Sequence, residues 1–321
     1  MRHSVASNVS SDRARFADEV AYYLSLSPRQ LPSRYLYDSL GSALFDAICE
    51  LPWYPITRAE QRLLATHGRE IFSRLAPLGT LVELGPGNGQ KLSTLLAAAA
   101  PQRHLEVHLV DVSRDALEAA TRQLDPYQHL SLFSHEGDYE TGLDAVGSGA
   151  TRSGRTLAMF LGSNIGNFDP PGAAALLSRI RATLMPGDGL LLGADMVKPE
   201  AEMLLAYDDP LGVTAAFNRN LLVRANRELG GDFNLDGFEH QARWQAAESR
   251  IEMHLVSRRR QDVRLTDVAL EITFDAGESI WTESSYKYTL PDVAAMVTRA
   301  GFTVADQWVG DGFALTLGRV R

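Results

Sequence analysis

Val82-Glu83-Leu84-Gly85-Pro86-Gly87-Asn88-Gly89-Gln90-Lys91 leaves an apolar strand pattern and enters an amphipathic helix through three alternating glycines. Glycines at such a turn let the backbone come close to a bound ligand. The helix that follows offers its free N–H groups to the same ligand. The spacing is G-x-G-x-G, not the G-x-G-x-x-G of dinucleotide enzymes. A ligand without a pyrophosphate therefore fits better than NAD.

Outward from this turn, short apolar runs alternate with Ala/Leu-rich amphipathic segments from Leu81 to Met196. The strand candidates are 80–85, 105–113, 130–139, 156–164 and 189–196, with helices expected at 91–100 and 115–124. Asp169-Pro170-Pro171 opens a further helix to about Leu184, with proline in the first turn where its missing N–H does no harm. Alternation of this kind predicts a parallel sheet wrapped by helices. Asp111 ends the second strand candidate, where a carboxylate accepts both ribose hydroxyls of a nucleoside. Asp138 and Tyr139 end the third, where a carboxylate takes an adenine amino group and a ring stacks on the purine. The competing reading, a tight turn with two aspartate helix caps, leaves this placement at successive strand ends to coincidence.

The flanks differ. Residues 15–70 are helical in pattern and rich in aromatics, among them Tyr22, Tyr23, Tyr35, Tyr37, Phe45, Trp53 and Tyr54. Residues 200–245 read as helices and 247–289 as strands. The stretch 290–301 is a helix ending on glycine, and strands at roughly 302–309 and 312–319 follow around Gly310-Asp311-Gly312. A Gly/Ser-rich loop is expected at 147–154, and the chain contains no internal repeat.

Composition narrows the function. Hydrophobic residues make up 45% and charged residues 22% of the 321, the balance of a globular enzyme. The net charge of −9 argues against nucleic acid as a partner, because phosphate-backbone binding rests on Lys and Arg. Cys49 is the only cysteine, so a reducing compartment fits. The polar start lacks a signal peptide's apolar stretch, and no run approaches the roughly 20 apolar residues of a membrane span. A cytoplasmic protein without a membrane partner is expected.

Six segments carry a family resemblance: 34–52 (RYLYDSLGSALFDAICELP), 82–91 (VELGPGNGQK), 160–168 (FLGSNIGNF), 206–233 (AYDDPLGVTAAFNRNLLVRANRELGGDF), 250–255 (RIEMHL) and 278–288 (ESIWTESSYKY). The chain resembles the histidine Nα-methyltransferases of ergothioneine biosynthesis over nearly its whole length. The resemblance implies a Rossmann-like class I methyltransferase α/β sheet with a second, substrate-binding α+β domain. The expected division is 1–70, an N-terminal helical part of the substrate domain; 71–199, the cofactor domain; 200–285, a substrate-binding insertion; and 286–321, a helix and strands completing the sheet. It also implies S-adenosylmethionine as cofactor, trimethylation of L-histidine to hercynine, and a monomer.

Carried over residue by residue, the resemblance assigns Tyr37 to the sulfonium and the reacting amine, as the catalytic residue. Tyr54, Asn167 and Tyr207 fall to the amino acid's main-chain groups. Met253 packs near the imidazole, and the Glu283-Ser284-Ser285 stretch binds it through Glu283 and Ser285. Gly85, Gly87, Lys91, Asp111, Asp138 and Tyr139 fall to the cofactor. Elementary chemistry agrees: Asn and Tyr donors hold a carboxylate, and residues two apart on a strand share a face. Glu283 and Ser285 can then serve the two imidazole nitrogens, one as acceptor and one as donor. The family commonly shows Y-Y-P-T-R after L-P-E, whereas this chain reads Leu51-Pro52-Trp53-Tyr54-Pro55-Ile56-Thr57-Arg58, so Pro55 replaces the second tyrosine. The glycine loop also departs from the usual GSGTSEK-like form.

Other features are set aside. His104 and His108 have metal-ligand spacing only on a helix, and they fall in a strand candidate, so no metal is expected. Cys49 reads as a small core residue and Ser163 lacks a hydrolase elbow. Asp208-Asp209 reads as a helix cap and Glu60 as part of an exposed helix face. Alternatives to histidine methylation are a paralogous N-methyltransferase for another amino acid or small amine, and a catalytically silent binding subunit.

Overall fold

The computed structural model describes residues 5–148 and 154–321. Most of the Gly/Ser-rich loop, 149–153, lies outside the described residues. The chain falls into two compact units, one made of the stretch up to Tyr54 with Pro199–Ser285, the other of Pro55–Lys198 with Tyr286–Arg321. The segment expected over 1–70 is thus divided at Tyr54.

The chain begins with α1 (Val5–Ser25), β1 (Arg29–Gln30) and α2 (Ser39–Glu50). There follow α3 (Ile56–Arg74), β2 (Leu78–Leu84), α4 (Gln90–Ala99), β3 (Leu105–Asp111), α5 (Arg114–Leu124) and β4 (Leu130–Glu136). Next come α6 (Tyr139–Ser148), β5 (Arg155–Phe160), α7 (Pro170–Thr183) and β6 (Gly189–Asp195). Helices α8 (Glu200–Tyr207) and α9 (Val213–Leu229) precede β7 (Phe238–Gln245), β8 (Arg250–Ser257), β9 (Gln261–Leu265), β10 (Leu270–Phe274) and β11 (Ser279–Tyr286). The chain closes with α10 (Leu290–Arg299), β12 (Phe302–Gly310) and β13 (Phe313–Val320).

The second unit is an α/β sheet in the order β12-β13-β6-β5-β2-β3-β4. The strands from β6 to β4 run parallel, and β13 inserts antiparallel between β6 and β12. β2 and β6 are buried at every residue, as helices on both faces of a parallel sheet require. Val82, Leu84, Phe160 and Leu192 pack with Leu177 and Ile180 of α7 and with Val293 and Val297 of α10. α7 opens on Asp169, whose side chain accepts the Gly172 N–H, with proline in the first turn. α10 opens on a capping box between Thr289 and Asp292. Strand order reverses between β2 and β5, and an open α/β sheet binds its ligand outside the carboxyl ends at that point.

One boundary is corrected here. β4 stops at Glu136, so Asp138 and Tyr139 do not end a strand. The Asp138 carboxylate accepts the Thr141 N–H at 2.9 Å and starts α6, in which Tyr139 is the first residue. The side chain's own backbone bond decides against further extension.

The first unit is α+β. Its sheet has the order β1-β11-β8-β7, with β9 and β10 as a separate antiparallel ribbon and α2 packed against α9. Residues 238–245, expected to be helical, pair antiparallel with β8 from Phe238↔Ser257 to Gln245↔Arg250. Phe238 and His240 turn inward while Glu239 between them is exposed, so burial alternates at the strand period. The Asp209 carboxylate accepts the N–H groups of Leu211, Val213 and Thr214 and caps α9, as expected. Cys49 on α2 is half-buried instead of lying in the core.

Candidate active site

At the carboxyl edge of the second unit's sheet, Gly85 follows β2 with φ +72°, a conformation that favours glycine. A Cβ there would stand 2.8 Å from Asn164 Nδ2 and 3.0 Å from the Tyr139 hydroxyl. Two polar groups therefore close on the turn where only glycine fits. At Gly87 a Cβ would meet nothing within 4 Å, so that side of the loop is open to a ligand.

Asp111 ends β3 with its carboxylate accepting the Ser113 N–H at 2.9 Å. Burial raises its pKa, opposed by backbone N–H bonds from Ser113, Gly87 and Val112 and by the charge of Lys91. Glu83, one residue from the strand's end, is fully buried, and neither carboxylate oxygen has a hydrogen-bond partner. Burial pushes it up to about 8; the Lys91 charge opposes this, and the charges of Glu60 and Asp111 reinforce it. Tyr139 packs edge-on against Phe160 at 5.3 Å and tilted against Phe168 at 6.3 Å. Burial, followed by the negative charge of Asp111, raises its hydroxyl pKa.

Lys91 lies in the first turn of α4, 3.8 Å from Glu60. Glu60 is not on an exposed face: none of its surface is accessible, and it accepts the Gly162 N–H. Burial raises its pKa, opposed first by Lys91 and then by the Gly162 N–H. Asn167 ends the 3₁₀ turn Asn164–Asn167 that follows β5, and is half-buried. The Ser163 hydroxyl at the start of that turn accepts the Asp195 N–H at 2.9 Å.

These groups suit the methyl donor that the sequence resemblance implies. A ribose diol has an acceptor in Asp111. A ligand ammonium beside Glu83 would occupy two orphaned carboxylate oxygens.

In the first unit, Tyr37 is half-buried, with its ring edge-on to Phe45 and to Phe217, each at 5.5 Å. Tyr54 packs edge-on against Phe45 at 6.3 Å and Tyr207 at 6.2 Å. These rings form one aromatic row. Next to Tyr37, burial would raise the Asp38 pKa, but hydrogen bonds from Arg227, Gly41 and Asn220 hold it below the ordinary carboxylate range. Tyr207 ends α8, and its hydroxyl lies 2.7 Å from the Ser285 hydroxyl. Ser285 is buried on β11, whereas Glu283 and Ser284 are half-buried. Met253, buried on the neighbouring β8, accepts the Thr282 hydroxyl through its carbonyl at 2.9 Å.

Several buried polar groups escaped the sequence reading. His240 Nε2–H donates to the Tyr207 carbonyl at 2.8 Å, while Asn218 Nδ2 donates to its Nδ1 at 2.9 Å. Burial lowers the pKa of this histidine, in keeping with a neutral ring. Glu60 is legible in retrospect: it stands one helical turn from both Ile56 and Leu64, which are buried. Glu83 is the one charged residue of β2, a second available signal. His108, by contrast, lies on β3 with its ring nitrogen 2.9 Å from that of His135.

The family model described as histidine-specific, S-adenosylmethionine-dependent methyltransferase matches residues 16–319. A histidine N-alpha-methyltransferase of Mycolicibacterium smegmatis is 41% identical, covering 99% of both chains. That of Mycobacterium tuberculosis is likewise 41% identical, over 99% of each chain. An ergothioneine biosynthesis protein 1 of Neurospora crassa is 29% identical over 79% of this chain and 31% of its own.

Proposed function

The chain belongs to the family of histidine-specific, S-adenosylmethionine-dependent methyltransferases, and on that premise we propose that it trimethylates the α-amino group of L-histidine to hercynine in ergothioneine biosynthesis. S-adenosylmethionine supplies an electrophilic methyl on a sulfonium; each transfer forms an N–C bond as the S–C bond breaks, leaving a thioether.

Asp111 holds the ribose hydroxyls and Lys91 and the glycine loop hold the rest of the donor, with Asp138 and Tyr139 assigned to its adenine. Asn167, Tyr54 and Tyr207 are assigned to the amino acid's main-chain groups. Glu283 accepts from one imidazole nitrogen and Ser285 donates to the other, with Met253 against the ring. An ammonium has no lone pair, so the amine gives up its proton before attack, and Tyr37 relays it to water. Rate then depends on alignment, with the reacting atoms about 3–3.5 Å apart.

The observation that carries this reading is the Tyr207–Ser285 hydrogen bond, which orients a buried hydroxyl on the strand that also bears Glu283. We read the enzyme as a cytoplasmic monomer; the single cysteine fits the reducing compartment of that reading. No helix among the described residues is long and apolar enough to cross a membrane.

The test is turnover of the twenty amino acids with labelled cofactor. Histidine should far exceed all others. Preference for another amino acid would identify a paralogue, and no turnover of any would identify a silent binding subunit.

A further inference from the structure

Glu60 is fully buried on α3, and no step above employs it. Both of its oxygens accept the Gly162 N–H, at 2.8 and 2.9 Å, and one lies 3.8 Å from Lys91 Nζ. The carboxylate fills space next to Gly193 of β6, where a Cβ would stand 2.3 Å from Oε1. Lys91 in turn lies against Gly162, its Nζ 2.7 Å from where a Cβ would be. An acid near the start of α3, the first turn of α4 and the turn after β5 thus meet on one carboxylate. A carboxyl group this deep stays ionised only when it is paired and hydrogen-bonded.

We propose that Glu60 is a positioning residue of the cofactor site: it fixes the Lys91 ammonium and the turn that begins at Gly162 in the one arrangement that receives the methyl donor. Lysine is a point charge on a flexible four-carbon stem, and an unanchored one loses more freedom on meeting a ligand. The same turn carries Asn164, which closes on Gly85, and Asn167. The inference rests on the assignment of Lys91 to the donor. It adds that this lysine is held ready by a partner that itself touches no substrate.

The test is a double-mutant cycle read by calorimetry with S-adenosylhomocysteine on the unaltered chain, Glu60→Gln, Lys91→Met and the double variant. Glu60→Gln should weaken binding about tenfold when Lys91 is present and less than about twofold when it is Met, because the pair acts as a unit. Equal losses in both backgrounds would reduce Glu60 to a structural residue and overturn the inference, as would an unchanged affinity in Glu60→Gln. If Glu60→Gln does not fold, Glu60→Asp, whose charge is retained one methylene short of Lys91, passes through the same cycle with the same two outcomes. Failure of the unaltered chain to bind would overturn the cofactor assignment itself, and the inference with it.

Discussion

The hydroxyl oxygens of Tyr207 and Ser285 lie 2.7 Å apart and join the end of α8 to β11 in the interior of the first unit. Removing either hydroxyl deprives the other of this bond, whose net contribution is about 0.5–1.5 kcal/mol. Tyr207→Phe and Ser285→Ala should each lower stability in denaturant unfolding by that order and raise the KM for histidine several-fold. The double variant should lose little more than either single one, since both remove the same bond. Fully additive losses would show that the two hydroxyls act independently.

Glu283 governs the choice of amino acid. Glu283→Ala leaves an imidazole donor unpaired, a loss of about 1–3 kcal/mol, so kcat/KM for histidine should fall by roughly one to two decades. Tryptophan, bulkier and without that pairing, should lose little. Glu271→Ala, which removes a carboxylate with 72% of its side chain exposed, serves as the control and should leave both rates unchanged. An unaltered histidine-to-tryptophan ratio in Glu283→Ala would transfer imidazole recognition to other residues.

For the cofactor, the informative position is Asp111. Its replacement by Ala removes two charge-assisted hydrogen bonds to a ribose, each worth about 1.5–3 kcal/mol, so affinity should fall by roughly two to four decades. It also removes the acceptor of the Ser113 N–H, so a small loss of thermal stability should accompany it. Unchanged calorimetric affinity would place the ribose elsewhere.

Glu83 makes stability depend on pH. Unfolded, a glutamate titrates near 4.5; folded, burial pushes this one up to about 8. Between those values the folded chain holds a proton that the unfolded chain has released. The contribution of this site to stability therefore declines as pH rises from about 4.5 to about 8, and it levels off above. Glu83→Gln cannot titrate, so without methyl donor it should melt above the unaltered chain at about pH 9 and show a flatter profile. Melting curves that run parallel from about pH 6 to 9 would mean that the buried acid is not the titrating group.

The extent of methylation is a further readout. With excess cofactor, mass spectrometry should find the trimethylated betaine of histidine as the main product. A single methyl addition, however long the reaction, would leave the fold intact and remove the proposed product.

The α/β alternation, the glycine turn and the closing helix-and-hairpin were legible because each is written in local periodicity and turn chemistry. Asp111 could be placed at the sheet edge from its strand alone. The geometry of the Asp138-Tyr139 pair was not legible, because a single cap hydrogen bond converts the expected strand end into a helix start.

What tertiary structure alone decided is which polar groups are buried, and against what. An acid on a helix reads as exposed by composition, yet Glu60 is enclosed because Lys91 and Gly162, distant in sequence, arrive beside it in the folded unit. Residues 238–245 became a strand because β8 supplies a full-length partner. His240 reaches the carbonyl of Tyr207 for the same reason. Local sequence sets the period of an element, but burial of a charge depends on whether distant groups satisfy it, and that pairing exists only once the chain has folded.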